Sequence, residues 1–259
     1  MEAAIETAVM NAADIHFVKH SERASADYVS HRSGKGRPSR LALGAFPGSF
    51  NPVTTAHVEL IRRAGQQFSL DEIVLLAGPS NADKSRYECD LEDRLRMLML
   101  ALEEVPKTSI AVCKPAFFVD MIDGLHAAYS AYSSGIEVHF IMGKDTLMRI
   151  LDPDGRYLDR YRKRFATAPE ALDYLLTMSR LIVAERAYPD SSSTEQSSEE
   201  QPQKQTERIV SLDFPLDLAE QSATQVREAL RTGRDISGLV PPRVETYIRQ
   251  HSLYLPSSL

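Results

Sequence analysis

Short, uninterrupted apolar blocks alternate along this 259-residue chain with segments whose apolar positions recur every three or four residues. The blocks Leu41 to Phe46, Asp71 to Gly78, Ser109 to Lys114, Ile136 to Met142, Arg180 to Ala184 and Arg208 to Phe214 read as strands. Their continuous apolar character suits a parallel sheet covered on both faces. After Thr54, residues His57, Ile61, Ala64 and Phe68 share one helical face. Leu91, Leu95, Leu98 and Leu102 do the same behind an Asp90 cap, with Asp93 in the first turn. Helical patterns also fill Phe117 to Tyr132, much of Thr146 to Met178, Ser222 to Arg231 and Pro242 to His251. Strands alternating with helices predict right-handed βαβ units, hence an α/β fold with a doubly wound, mostly parallel sheet and helices on both faces.

Two stretches stand outside that alternation. Residues 1 to about 22 carry weak helical marks at Ile5, Val9, Ile15 and Phe17, and Ser21 to Arg40 is Ser-, Gly- and Arg-rich. Residues 1–40 are therefore expected to be an N-terminal helix and tether ahead of one domain over 41–259. Within that domain 188–206 is dominated by Ser, Glu, Gln and Pro, an insertion expected to be disordered.

A hydrophobic content of 43% argues for a folded globule. The net charge of −6 advertises no broad basic surface, so neither nucleic acid nor membrane is an expected partner. Cys89 and Cys113 form no metal or redox spacing, and no run approaches membrane-spanning length. The opening residues lack the basic start and apolar core of a signal peptide, and Glu2, Glu6 and Asp14 count against a mitochondrial presequence. The expected compartment is the cytoplasm, with the nucleus an alternative.

Candidate chemistry concentrates where strands end. Pro47, Gly48 and Pro52 forbid helix and ladder after the first block, so a tight loop through Ser49, Phe50 and Asn51 precedes the helix at Thr54. A strand, a loop of small residues and a helix start aim backbone N–H groups at an anion. Thr54 and His57, three apart, reach the same phosphate. Pro79 to Glu88, with Lys84 and Arg86, is a candidate substrate loop. Gly143-Lys144-Asp145 ends another strand, but a P-loop needs glycine where Val138 stands, and no G-x-G-x-x-G occurs. Taken alone, Asp145 reads equally as a helix cap. Ser222, Thr224 and Arg227 open a late helix with hydroxyls, free N–H groups and a forked donor suited to phosphate.

The string Gly48-Ser49-Phe50-Asn51-Pro52-x-Thr54-x-x-His57 resembles the signature of nucleotidyltransferases of the HxGH/TxxH type, and within them the nicotinamide mononucleotide adenylyltransferases. Ser222-x-Thr224-x-x-Arg227 is similar to that family's S-x-T-x-x-R, and Gly143-x-Asp145 to its G-x-D. Asp145-Thr146-Leu147-x-Arg149-x-x-Asp152-Pro153 resembles the fungal-type branch, which also carries Thr at the position of Thr54; Gly238 to Tyr254 resembles the closing helix. The resemblance covers about Leu41 to Tyr254, without the insertion. It implies a Rossmann-like nucleotidyltransferase sheet and transfer of AMP from ATP to nicotinamide mononucleotide, with nicotinate mononucleotide also open, giving the dinucleotide and pyrophosphate. It implies Mg²⁺ held mainly by ATP oxygens and water. His57, with Thr54 beside it, would donate to phosphate, and the backbone at Gly48, Ser49 and Phe50 would line the crevice. Gly143 would approach the nucleotide, Asp145 would accept from ribose hydroxyls, and Ser222, Thr224 and Arg227 would clamp the polyphosphate. Many members stack the pyridine on a tryptophan; this chain has none, which leaves Phe117, Phe118 and Tyr132 as candidates. A related transferase acting on another phosphate acceptor, or a non-catalytic nucleotide-binding protein, stay open.

Overall fold

The computed structural model describes residues 14–21, 40–79, 88–132, 135–151, 164–186 and 207–255. The loop with Lys84, most of the tether and the insertion lie outside the described residues. In chain order the elements are β1 (Ile15–Lys19), β2 (Leu41–Gly48), α1 (Thr55–Gln67), β3 (Glu72–Ala77), α2 (Leu91–Ala101), β4 (Thr108–Cys113), α3 (Phe118–Ala128) and β5 (Ile136–Gly143). They continue with α4 (Lys144–Leu151), α5 (Ala168–Met178), β6 (Ser179–Arg186), β7 (Ile209–Phe214), α6 (Leu216–Ala219), α7 (Ala223–Arg231) and α8 (Pro242–Gln250).

The sheet order is β1-β4-β3-β2-β5-β6-β7, parallel throughout except for β1. The strand order reverses between β2 and β5, which pair from Leu41↔Ile136 to Ala45↔Phe140. Such a switch point leaves a crevice beyond the carboxyl ends of both strands, where ligands of open α/β sheets bind. The inner strands β2 to β5 are buried on both faces because alternate side chains feed two cores, whereas the edge strands β1 and β7 are only partly covered. Phe46, Leu75, Ile141 and Ile182 join one core with α1, α2, α7 and α8. Ala45, Leu76, Phe140 and Leu181 join the other with α3 and α5.

Two expectations are corrected: the ladder does not stop before Pro47 but continues through Pro47↔Leu76 and Gly48↔Ala77 in β2. The helix expected over residues 1 to about 22 is, where described, strand β1, antiparallel to β4 from Ile15↔Cys113 to Phe17↔Ala111. The weak helical spacing loses to a period-two pattern in which Ile15 buries against α3 while the edge of β4 supplies ladder partners. Gly124 permits this approach, since a Cβ there would sit 3.0 Å from Ile15 Cδ1. The short helix α6 was not anticipated either; its single turn is too brief to carry a period.

Candidate active site

β2 runs straight into the loop Gly48 to Asn51, whose shape the chain fixes at several points. A Cβ on Gly48 would lie 2.8 Å from the Phe50 ring, so only glycine allows the fold-back. Phe50 sits in the left-handed region, φ 45, a strained conformation for a bulky residue that its fully buried ring holds in place. The Asn51–Pro52 peptide is cis. Thr54 then caps α1, and His57 closes an unusual capping box. The Thr54 hydroxyl accepts from His57 N at 3.3 Å, while His57 Nδ1 accepts the Thr54 backbone N–H at 2.9 Å and lies 2.7 Å from the hydroxyl. A backbone N–H can only donate, so Nδ1 is the bare nitrogen and the ring proton sits on Nε2. Burial, with Phe46 and Phe50 packed against the ring, pushes this imidazole down to about 4. His57 is thus a neutral Nε2–H donor at physiological pH.

A cavity of about 550 Å³ opens at the carboxyl ends of β2 and β5. It brings together Gly48, Ser49, Thr54, His57, Gly143, Asp145 and Ser222 from three separate parts of the chain. Phe50, Thr224 and Arg227 do not line it; Phe50 packs on His57, Arg227 is bonded to Asn51 of the motif loop, and Thr224 is bonded to Arg227. Of the aromatic candidates Phe117 and Phe118 line the cavity, whereas Tyr132 packs into the core beside α3. Asp145 and Lys144 stand exposed at the first turn of α4. The Ser222 hydroxyl caps α7 by accepting from Gln225 N at 3.2 Å, while the Gln225 side chain accepts from Ser222 N at 2.8 Å.

Arg227, only 8% exposed, lies one turn into α7. Its Nη1 donates to the Asn51 carbonyl at 2.7 Å, Nη2 to Thr224 Oγ1 at 3.2 Å and Nε to Glu88 at 3.1 Å. The expected phosphate clamp therefore also bridges α7 to the motif loop.

Four contributors were not among the site residues expected from the sequence. Arg94 is 1% exposed, and its Nη1 donates to the carbonyls of Ser49 at 2.7 Å and Gly78 at 3.0 Å, tying the loop to the end of β3. Its place three before Met97 and four before Leu98 on the apolar face of α2 was the available signal. Tyr254 reaches back to donate to Asn51 Oδ1 at 2.8 Å, and Leu239 accepts from Thr55 N at 3.0 Å. Glu88, just before the Asp90 cap, pairs with Arg227 and Arg231.

Among the described residues no helix is long and apolar enough to cross a membrane. Comparison with solved structures finds a Plasmodium falciparum nicotinic acid mononucleotide adenylyltransferase complexed with APC. It has a TM-score of 0.55 and 16% identity, over 83% of this chain and 98% of that one, and so shares the fold. Among curated proteins the chain is 24% identical over 235 residues to a probable nicotinate-nucleotide adenylyltransferase of Streptococcus pyogenes, covering 85% of this chain and 91% of the relative. It is 26% identical over 220 residues to its counterpart in Dehalococcoides mccartyi, covering 83% and 97%. Residues 45–229, from the middle of β2 to the last turn of α7, match the cytidylyltransferase-like family, and the chain belongs to that family.

Proposed function

We propose that the cavity binds ATP and a pyridine mononucleotide and transfers AMP to the 5′-phosphate of the mononucleotide, releasing pyrophosphate. The observation that carries this reading is His57, a neutral donor fixed in tautomer and held on the cavity wall beside the Gly48–Ser49 loop. The acceptor phosphate is already an anionic nucleophile, so the reaction needs no covalent intermediate. What remains is to align two anions and to stabilise charge growing on the α-phosphate and the leaving group. A neutral Nε2–H serves both without first gaining a proton. Thr54 supports the ring, Ser222, Thr224 and Arg227 grip the polyphosphate, and Asp145 accepts from ribose.

Among the described residues the cavity lining holds one carboxylate, Asp145, which suits a metal carried in by the nucleotide and hydrated by water. The grouping of Cys89, Asp90 and Asp93 lies off the cavity, and its thiol does not suit Mg²⁺. When bound with ATP, Mg²⁺ would offset charge on the phosphates.

Nicotinate mononucleotide is favoured over the nicotinamide form by the names of the relatives, and the positive charge of Lys144 and Arg149 in the lining suits a ring carboxylate. The test is pyrophosphate release with ATP or CTP against nicotinate mononucleotide, nicotinamide mononucleotide and pantetheine phosphate. ATP with the pyridine nucleotides should turn over, the nicotinate form faster. Release with CTP alone, with pantetheine phosphate alone, or with no pair would overturn the proposal.

A further inference from the structure

Glu88 divides its carboxylate between two guanidiniums: Oε1 accepts from Arg227 Nε at 3.1 Å, and Oε2 accepts from Arg231 Nη2. The two arginines are four apart and share one face of α7. One anion bridging two forked donors is also the geometry in which phosphate oxygens are held. We propose that Arg231 is a second ligand of the polyphosphate: with Arg227 it forms a seat for the terminal phosphate of ATP, and Glu88 fills that seat in the unliganded protein. The inference rests on the ATP reading above and adds a residue to it.

The placement supports an exchange. Ser222 and Ala223 line the cavity at the start of α7; Arg227 and Arg231 stand behind that lining, but helical side chains lean toward the N-terminus, so both are directed back toward Ser222. The Arg227 side chain is 10% exposed, but Glu88 is 41% and Arg231 46% exposed, so the carboxylate can leave without opening the core. When it leaves, Asn51 O and Thr224 Oγ1 still hold Arg227 in place. Among the described residues the other acid paired with Arg231 is Glu228, at 3.9 Å from Nη1. A buried guanidinium stripped of every anion is costly, which gives Glu88 its function between turnovers.

The proposal makes opposite predictions for the two partners of one ion pair. Glu88→Gln removes a competing charge and should bind tripolyphosphate more tightly. Arg231→Ala removes a ligand and should bind it about fivefold more weakly, the scale of one exposed charge contact. AMP, which lacks the β- and γ-phosphates, should bind all three proteins alike. Titration calorimetry with tripolyphosphate, ATP and AMP on wild type, Glu88→Gln and Arg231→Ala reads these arms. A merely structural ion pair would move both variants in the same direction or move neither, and either result overturns the inference. Wild type that binds ATP and tripolyphosphate while Arg231→Ala binds them equally well sinks this inference alone. Wild type that binds neither sinks the ATP reading and this inference with it.

Discussion

Substitution of His57 can separate what the side chain does for the helix from what it does for phosphate. Thr54 is fully buried, and its backbone N–H has His57 Nδ1 as acceptor. His57→Ala strands that donor, at a cost of about 1–3 kcal/mol. For a domain of this size each kcal/mol moves the melting temperature by roughly 2–4 °C, so a fall of about 2–12 °C is expected. Turnover should fall a further way, by about 10²–10³, the scale of losing one transition-state donor. His57→Gln is the informative control. Glutamine is the residue that ordinary capping boxes place at this position, and its carbonyl can accept the Thr54 N–H. The helix start should therefore survive, with a melting temperature near wild type, while turnover stays depressed because the imidazole Nε2–H is gone. Thermal melts paired with single-turnover pyrophosphate release measure the two effects separately. If His57→Gln restores turnover along with stability, His57 is a cap and nothing more.

Because the unfolded chain takes up the His57 proton near 6.5 and the folded protein resists until about 4, this residue's share of stability is complete above pH 6.5 and is lost as pH falls through that window. Denaturant midpoints of His57→Gln should therefore decline less steeply than wild type from pH 6.5 to 4.5; equal slopes would refute the buried, neutral ring. Glu72 behaves in the opposite sense: burial raises its pKa against the hydrogen bonds from Ser109 and Tyr129, so its folded form holds a proton more tightly and stability is lost as pH rises through its folded pKa. Glu72→Gln should remove that slope, as chemical denaturation across pH 5 to 8 would show. Arg94→Met leaves the Ser49 and Gly78 carbonyls without their donor and should cost about 2–4 kcal/mol, with the Michaelis constant for ATP raised as the loop slackens. Arg227→Lys keeps the charge but cannot serve Asn51, Thr224 and Glu88 at once, so calorimetry with a non-hydrolysable ATP analogue should show weakened binding; unchanged affinity would remove Arg227 from the nucleotide site.

The parallel core of the sheet was legible because its strands are apolar on both faces, and because Asp90, Thr54 and Ser222 mark helix starts by chemistry that acts within one turn. What the sequence could not supply were partners far apart along the chain. Edge strand β1 lacks a strong pattern of its own and is defined by the ladder β4 offers. The carbonyls that occupy Arg94 and Arg227 are invisible to any periodicity, since every residue carries one. Thr54 and His57 were legible as neighbours on a helix, but the direction of their hydrogen bonds, and with it the tautomer of the ring, follows only from the turn the loop makes before them.

The motif loop is held from the far end of the chain. Arg94 grips it across 45 residues, Arg227 across 176 and Tyr254 across 203. During synthesis at about 5–20 residues per second, the loop leaves the ribosome roughly 10–40 s before its last anchor exists. A nascent chain can thus display the whole fingerprint and still lack a shaped site. Clipping at Tyr254 would spare most of both cores and still free the Asn51 side chain, leaving only its carbonyl in the grip of Arg227. Loss of activity should then precede loss of fold, and an active molecule is one whose chain runs intact from the motif loop through Tyr254.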